Sequence, residues 1–256
     1  MRIRDLMVLV ALATTSSPAR AANPTAREIH AELVDDDPWG IGGGDVEAHA
    51  TVIDGSRTRE LVFAVRSLRY DPPLVKSLLR FNAPADVAGV GFLQTQKRDA
   101  DDDRYLYMPE LHRSRRVAAV RRAERFMGTD YTYGDLDRRD LRNARAEVVG
   151  SERLGNYDTL RLALTPTDQD ALYGRIDVWV RRDNLRPLRY VLYDRDLVRV
   201  KTVTALEIKK VDGRWFTTRS VMLDHRTGSK TEIQLLHIRK SNHAEQEFTV
   251  RELERL

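Results

Sequence analysis

Between Val46 and Lys240 apolar and polar side chains alternate in short runs separated by turn dipeptides. Leu160, Leu162 and Leu164 share one face with Arg161 and Thr165 on the other; Ile176, Val178 and Val180 oppose Asp177, Trp179 and Arg181. Val198, Val200, Leu206 and Ile208 likewise oppose Arg199, Lys201, Glu207 and Lys209. A period of two with one apolar face predicts antiparallel strands that meet a core on one side and solvent on the other. Asp54-Gly55, Gly155-Asn156, Asp183-Asn184 and Asp212-Gly213 sit between such runs, where residues tolerant of a left-handed backbone close hairpins. Counting the runs predicts about ten or eleven strands. Helical spacing is confined to short pieces. Thr25 and Glu28 form a capping box ahead of Ile29, Leu33 and Val34, and Thr249 begins a similar start near the end. Short helical breaks fit at Pro84–Val87, Tyr133–Leu141 and Thr167–Leu172.

One stretch obeys neither period. Phe126-Met127-Gly128-Thr129-Asp130-Tyr131-Thr132-Tyr133-Gly134-Asp135-Leu136 crowds aromatic and apolar side chains among glycines and aspartates. Apolar residues outside regular structure either plug a core or line a binding surface. Gly128 is expected to let the backbone turn where a side chain could not.

The first residues change the compartment. Arg2 and Arg4 precede an apolar core from Leu6 to Ala13, and Ala19-Arg20-Ala21 offers a cleavage site, which predicts a signal peptide over residues 1–21 and one exported domain over 22–256. The apolar core falls far short of the roughly 20 residues that span a bilayer. The chain has no cysteine, which removes disulfides, thiolate chemistry and a lipidated cysteine. The formal charge of +4 falls to +2 once the leader, with three arginines and one aspartate, is set aside. Nucleic acid is therefore not an expected partner.

Candidate chemistry is sparse. The six histidines show no zinc spacing, and no nucleophile elbow, phosphate loop or dinucleotide fingerprint occurs, so no catalytic residue, metal or cofactor is expected. Asp99 to Glu110 imitates the spacing of a calcium loop, but Arg104 stands where that turn needs glycine, so a hairpin tip is the better reading. Arg113, Arg115, Arg116, Arg121, Arg122 and Arg125 form a basic cluster, read as a solvated face or as a contact for anionic head groups.

Several motifs together resemble a known family. Tyr105-Leu106-Tyr107-Met108-Pro109 precedes the pair Arg115-Arg116 and then the Phe126–Leu136 segment. Upstream stand Phe81, Pro84, Asp86, Val87, Gly89, Gly91, Phe92 and Leu93, and downstream Thr231 and Phe248-Thr249. This arrangement resembles the LolA-like outer-membrane lipoprotein-sorting proteins, in a branch distinct from LolA proper. The resemblance implies a mainly β fold: an incomplete, strongly curved antiparallel barrel with short helices over its concave face. It also implies a periplasmic carrier of lipid or lipoprotein acyl chains that is not an enzyme, with transient membrane-surface contact and an RND-type inner-membrane transporter as a partner. On that reading Phe126, Met127, Tyr131, Tyr133, Tyr105, Tyr107 and Trp179 are expected to line or rim the cavity. Asp130 is expected to pair with Arg115 or Arg116 and hold the segment to the sheet. A periplasmic sensor or adaptor with the same fold, binding a partner protein without lipid, is the alternative.

Overall fold

The computed structural model describes residues 24–35, 43–98 and 100–255; the expected signal peptide lies outside them, as does Asp99 of the calcium-loop imitation. Helix α1 spans Ala26–Asp35, started by the capping box in which the Thr25 amide donates to Glu28 Oε2 at 2.7 Å. Strands β1 (Gly44–Asp54), β2 (Arg57–Asp71), β3 (Leu74–Ala83), β4 (Gly91–Thr95), β5 (Asp103–Met108) and β6 (Arg113–Arg116) follow. After a crossing segment that holds α2 (Tyr133–Asp137) and α3 (Arg139–Arg142) come β7 (Ala144–Leu154), β8 (Tyr157–Pro166) and β9 (Arg175–Arg181). The sheet ends with β10 (Pro187–Tyr193), β11 (Arg199–Val211), β12 (Arg214–Asp224) and β13 (Lys230–Arg239), and α4 (Val250–Leu253) closes the chain.

All thirteen strands form one antiparallel sheet in the order β6-β5-β4-β3-β2-β1-β13-β12-β11-β10-β9-β8-β7. Two meanders are joined where β13 pairs with β1, Val52 facing Thr231 and Ala50 facing Ile233. β6 and β7 remain as edges, so the sheet does not close into a barrel. The four turn dipeptides each close a hairpin as expected. The strand count exceeds the expected ten or eleven for two physical reasons. β4 is buried on both faces and so does not alternate, and β6 is Arg-Ser-Arg-Arg with no apolar side chain. Pro84–Val87 and Thr167–Leu172 are turns rather than helices; Tyr133–Leu141 is helical but broken at Arg138, whose φ is 53°.

Alternation assigns each strand a face. On the inner face one cluster gathers Val46, Ala48 and Ala50 with Leu61, Phe63, Phe81 and Phe92. A second, on β8 to β11, gathers Leu160, Leu162, Leu164, Ile176, Val178 and Val180 under Ile29 and Leu33 of α1 and Leu141 of α3. The third lies on the opposite, outer face of β3 to β5, where Phe248 and Leu253 cover Leu78, Leu93 and Tyr107. Helix α4 therefore covers the outer face, while α1, α2 and α3 belong to the inner one.

Candidate functional site

Because β6 and β7 are opposite edges, residues 117–143 must carry the chain from one edge to the other, and they do so across the inner face. The irregular Phe126–Leu136 stretch is the middle of this crossing. Arg125 bridges Thr132, the Phe126 amide donates to the Tyr131 carbonyl at 2.7 Å, and Met127 and Gly128 turn the loop with φ of 50° and 79°. Glycine suits the second of these positions, because it carries no Cβ to strain a left-handed backbone. Thr132 then caps α2, its Oγ1 accepting from the Asp135 amide at 3.2 Å while Asp135 Oδ2 accepts from the Thr132 amide at 2.7 Å.

The aromatic residues of the crossing divide by role. Phe126 and Tyr133 are buried and join Phe63, Phe81 and Phe92 in one cluster, with Phe126 lying 5.0 Å from Phe92 and 5.5 Å from Tyr133, centroid to centroid. Such offset and edge contacts add roughly 0.5–1.5 kcal/mol per pair beyond area burial. Met127 packs against the same cluster. Tyr131 alone of the seven candidate cavity residues faces an open volume. Tyr105 and Tyr107 point to the outer face beneath α4, and Trp179 lies on the outer face of β9, where Nε1 donates to Glu152 at 2.5 Å.

Asp130 anchors the crossing, through partners other than those expected. Its fully buried carboxylate accepts from Arg125 and Ser229, and from Thr231 Oγ1 at 2.7 Å, while the Asp130 amide donates to Thr231 Oγ1 at 2.8 Å. Arg116 pairs instead with Asp103 at 2.6 Å, and Arg115 is exposed on β6. Arg125 is nearer in sequence, but the decisive partners, Ser229 before β13 and Thr231 at its start, lie some 100 residues away.

Beneath α2 and α3 lies a buried charge network. Asp137 accepts from Arg104 at 2.8 Å and from Arg122 Nε at 2.9 Å, and Arg122 also donates to Asp140 at 2.8 Å. Burial pulls the Arg122 guanidinium down, but the two carboxylates outweigh it and hold it above its ordinary value. Burial pushes the Asp140 carboxyl up against the same ion pair. Arg122 thus leaves the solvated basic cluster to which its neighbours in sequence belong. Beside this network Asp135 accepts from Lys201 Nζ of β11 at 2.5 Å and from Tyr173 Oη at 2.6 Å, tying α2 to the sheet.

These ties roof a cavity of about 220 Å³ between the two inner clusters. Leu136 and Leu141 form its ceiling, and Leu192, Val203, Met222, Ile233 and Leu235 of the sheet form its floor. Tyr131, Asp135, Arg138 and Arg186 supply a polar margin. Burial pushes the Tyr131 phenol up, and Ser220 is its hydrogen-bond partner. Among the described residues no group of histidine, aspartate or glutamate could hold a metal, and no helix is long and apolar enough to cross a membrane.

Three solved structures share this architecture. An outer-membrane lipoprotein-sorting protein domain from Vibrio parahaemolyticus is 27% identical, with a TM-score of 0.82 over 89% of this chain and 97% of that one. A DUF1329 family protein from Desulfovibrio piger is 26% identical, with a TM-score of 0.80 over 90% of this chain and 99% of that one. A LolA superfamily protein from Nitrosomonas europaea shares the fold at 19% identity, with a TM-score of 0.71 over 88% of this chain and 98% of that one. A family model described as "uncharacterized protein" matches residues 74–255. The chain belongs to the family that this model describes, and it is similar to lipoprotein-sorting and LolA superfamily proteins in fold. A search of curated proteins finds no match. Of these structures, one is described as a lipoprotein-sorting protein domain, and the fold they share with this chain suggests a carrier or binder.

Asp137, Arg104, Tyr173 and Lys201 could not be found from the sequence, nor could the partners of Asp135 within the irregular stretch, because each pairing joins residues more than 30 positions apart. Lys201 carries a faint signal, since it falls on a strand between the apolar Val200 and Val203. The Tyr173 phenol is held well above its ordinary 10.0, first by burial and then by Asp135. The unfolded chain loses this proton near pH 10 while the folded protein keeps it, so stability falls as pH rises above 10. The slope is at most about 1.4 kcal/mol per pH unit for this one group. Urea titrations from pH 9 to 11 should show that fall, and Tyr173→Phe should make it shallower, leaving the share of other tyrosines raised by burial, such as Tyr131.

Proposed function

We propose that this LolA-like protein is a periplasmic carrier that takes one acyl chain into the cavity beneath α2 and α3. The unfilled apolar volume at the centre of an otherwise packed inner face carries this reading. Protein interiors are close-packed, so a void of this size needs a reason. Its volume exceeds the roughly 150 Å³ apolar cavity that accepts benzene and falls below the ~300–1,000 Å³ typical of ligand sites. That matches part of a single chain rather than several.

Each exposed methylene costs about 0.8 kcal/mol, so a whole exposed chain costs on the order of 10 kcal/mol, and a cavity that takes part of it recovers a share of that. Release into a bilayer requires that the protein hold less than this. A small cavity, a polar margin and an open sheet meet that condition. A hand-over partner of the RND exporter type rests on the family resemblance alone.

The test is lipid extraction and mass spectrometry of the mature protein, with titration of a fluorescent fatty acid. Ala205 lines the floor, so Ala205→Trp fills the cavity and should weaken the probe by about tenfold or more, equivalent to ~1.4 kcal/mol. Protein that carries no lipid, and binds the probe equally with Trp at this position, would overturn the proposal.

A further inference from the structure

The outer face of β10 to β13 and β1 holds a second, larger recess of about 530 Å³. Register places its floor in two adjacent rows across five strands. One row runs Val191, Thr202, Leu223, Lys230, Ile53 and the next Arg189, Thr204, Val221, Glu232. Apolar side chains and threonines make the floor, and Arg189, Arg199 and Lys230 stand around it. None of these three cations has a salt-bridge partner among the described residues, and Arg189 Nε is buried without an acceptor. The single carboxylate, Glu232, is already engaged by Arg219 at 3.3 Å. Three cations around one carboxylate that is already engaged make this a site of uncompensated positive charge over apolar surface.

We infer that this recess is a docking groove for an acidic amphipathic helix of a partner protein. The strands beneath it are paired on both sides, so no backbone edge is offered to a partner strand and recognition must run through side chains. From Val191 to Ile53 the floor crosses four strand spacings, about 19 Å, which is the length of roughly 13 helical residues. Elsewhere in the molecule helices cover such surfaces: α1 to α3 the inner face, and α4 the outer face of β3 to β5. The chain's own leader is a poor occupant, because Arg2, Arg4 and Arg20 would add positive charge to positive charge. A bilayer is flat and does not fill a recess. Trp179 takes a place here rather than at the lipid cavity: its ring packs against Arg189 at 6.0 Å and Arg161 at 5.0 Å, stiffening one wall.

The probes are a synthetic peptide of about 14 residues with leucine on one helical face and glutamate on the other, its scrambled sequence, and phosphatidylglycerol vesicles. Calorimetric titration of the mature protein should show the amphipathic peptide binding about tenfold or more tighter than the scrambled one, with affinity falling as salt rises. Arg189→Glu with Lys230→Glu should weaken it by a further factor of about ten or more, while circular dichroism and fatty-acid binding stay unchanged. Ala205→Trp should leave peptide binding intact, which separates this groove from the cavity. Equal binding of the scrambled peptide, indifference to the charge reversals, or vesicle binding with the same charge dependence would overturn the inference.

Discussion

Phe126→Ala will lower stability by about 3–5 kcal/mol, the range for deleting a buried phenylalanine. The ring touches Phe81, Phe92 and Tyr133 at once, with centroid distances of 5.9, 5.0 and 5.5 Å, and it is 4% exposed. Its loss leaves a void that the rigid β3–β4 surface cannot collapse to fill. Urea unfolding should show a lower midpoint at an unchanged slope, because the exposed area of the unfolded chain barely changes. If Phe126 instead contacts cargo, the variant would keep its midpoint and lose fatty-acid binding. Tyr131→Phe is the opposite case: it removes one hydroxyl at the cavity margin, should cost stability little, and should change probe affinity.

That contrast shows what the sequence could and could not disclose about the crossing. Its lack of periodicity marked it as irregular, and its aromatic content marked it as buried or functional, but both outcomes occur within eleven residues. Phe126 and Tyr133 plug the core; Tyr131 meets the cavity. The choice depends on where a loop sits over a sheet, and that follows from β6 and β7 being opposite edges. No local pattern encodes such a relation.

The antiparallel sheet itself was legible because each hairpin is local: Asp54-Gly55 or Asp212-Gly213 between alternating runs names its own partner strands. The joining of β1 to β13 is not local, and neither is the pairing of Asp130 with Ser229 and Thr231. Tyr105 and Tyr107 illustrate the same limit on a smaller scale. Alternation says that Tyr105 and Tyr107 share a face without saying which is inside, and it sets Trp179 opposite the apolar face of its own strand, where the structure finds it. Both sides of β4 and β5 carry apolar residues, since α4 returns from the far end of the chain to cover the outer one.

Asp137→Ala should be the most damaging single change to the roof of the cavity. The carboxylate is fully buried and neutralises two guanidiniums that are themselves buried, Arg104 at 0% and Arg122 at 2% exposure. Removing one partner of a buried ion pair costs about 3–5 kcal/mol, because the other charge is stranded in a medium that solvates it poorly. Here Arg104 is stranded, with Nε and Nη1 already without acceptors, while Arg122 falls back on Asp140 alone. Against a total stability of roughly 5–15 kcal/mol, the variant should unfold at low urea or fail to accumulate. Asp177→Ala is the matched control. Asp177 is equally buried, but Arg161 and Arg175 are 35% and 36% exposed and can turn back to water, so the loss should be smaller. A decisive further comparison replaces Arg104 by methionine together with Asp137→Leu. Arg122 keeps Asp140 as its partner, so no charge is stranded and this double variant should be more stable than Asp137→Ala alone. If the double variant proves no better, the network's value lies in the geometry it imposes on α2 and α3 rather than in compensated charge. Weakened fatty-acid binding at restored stability would then locate that geometry at the cavity.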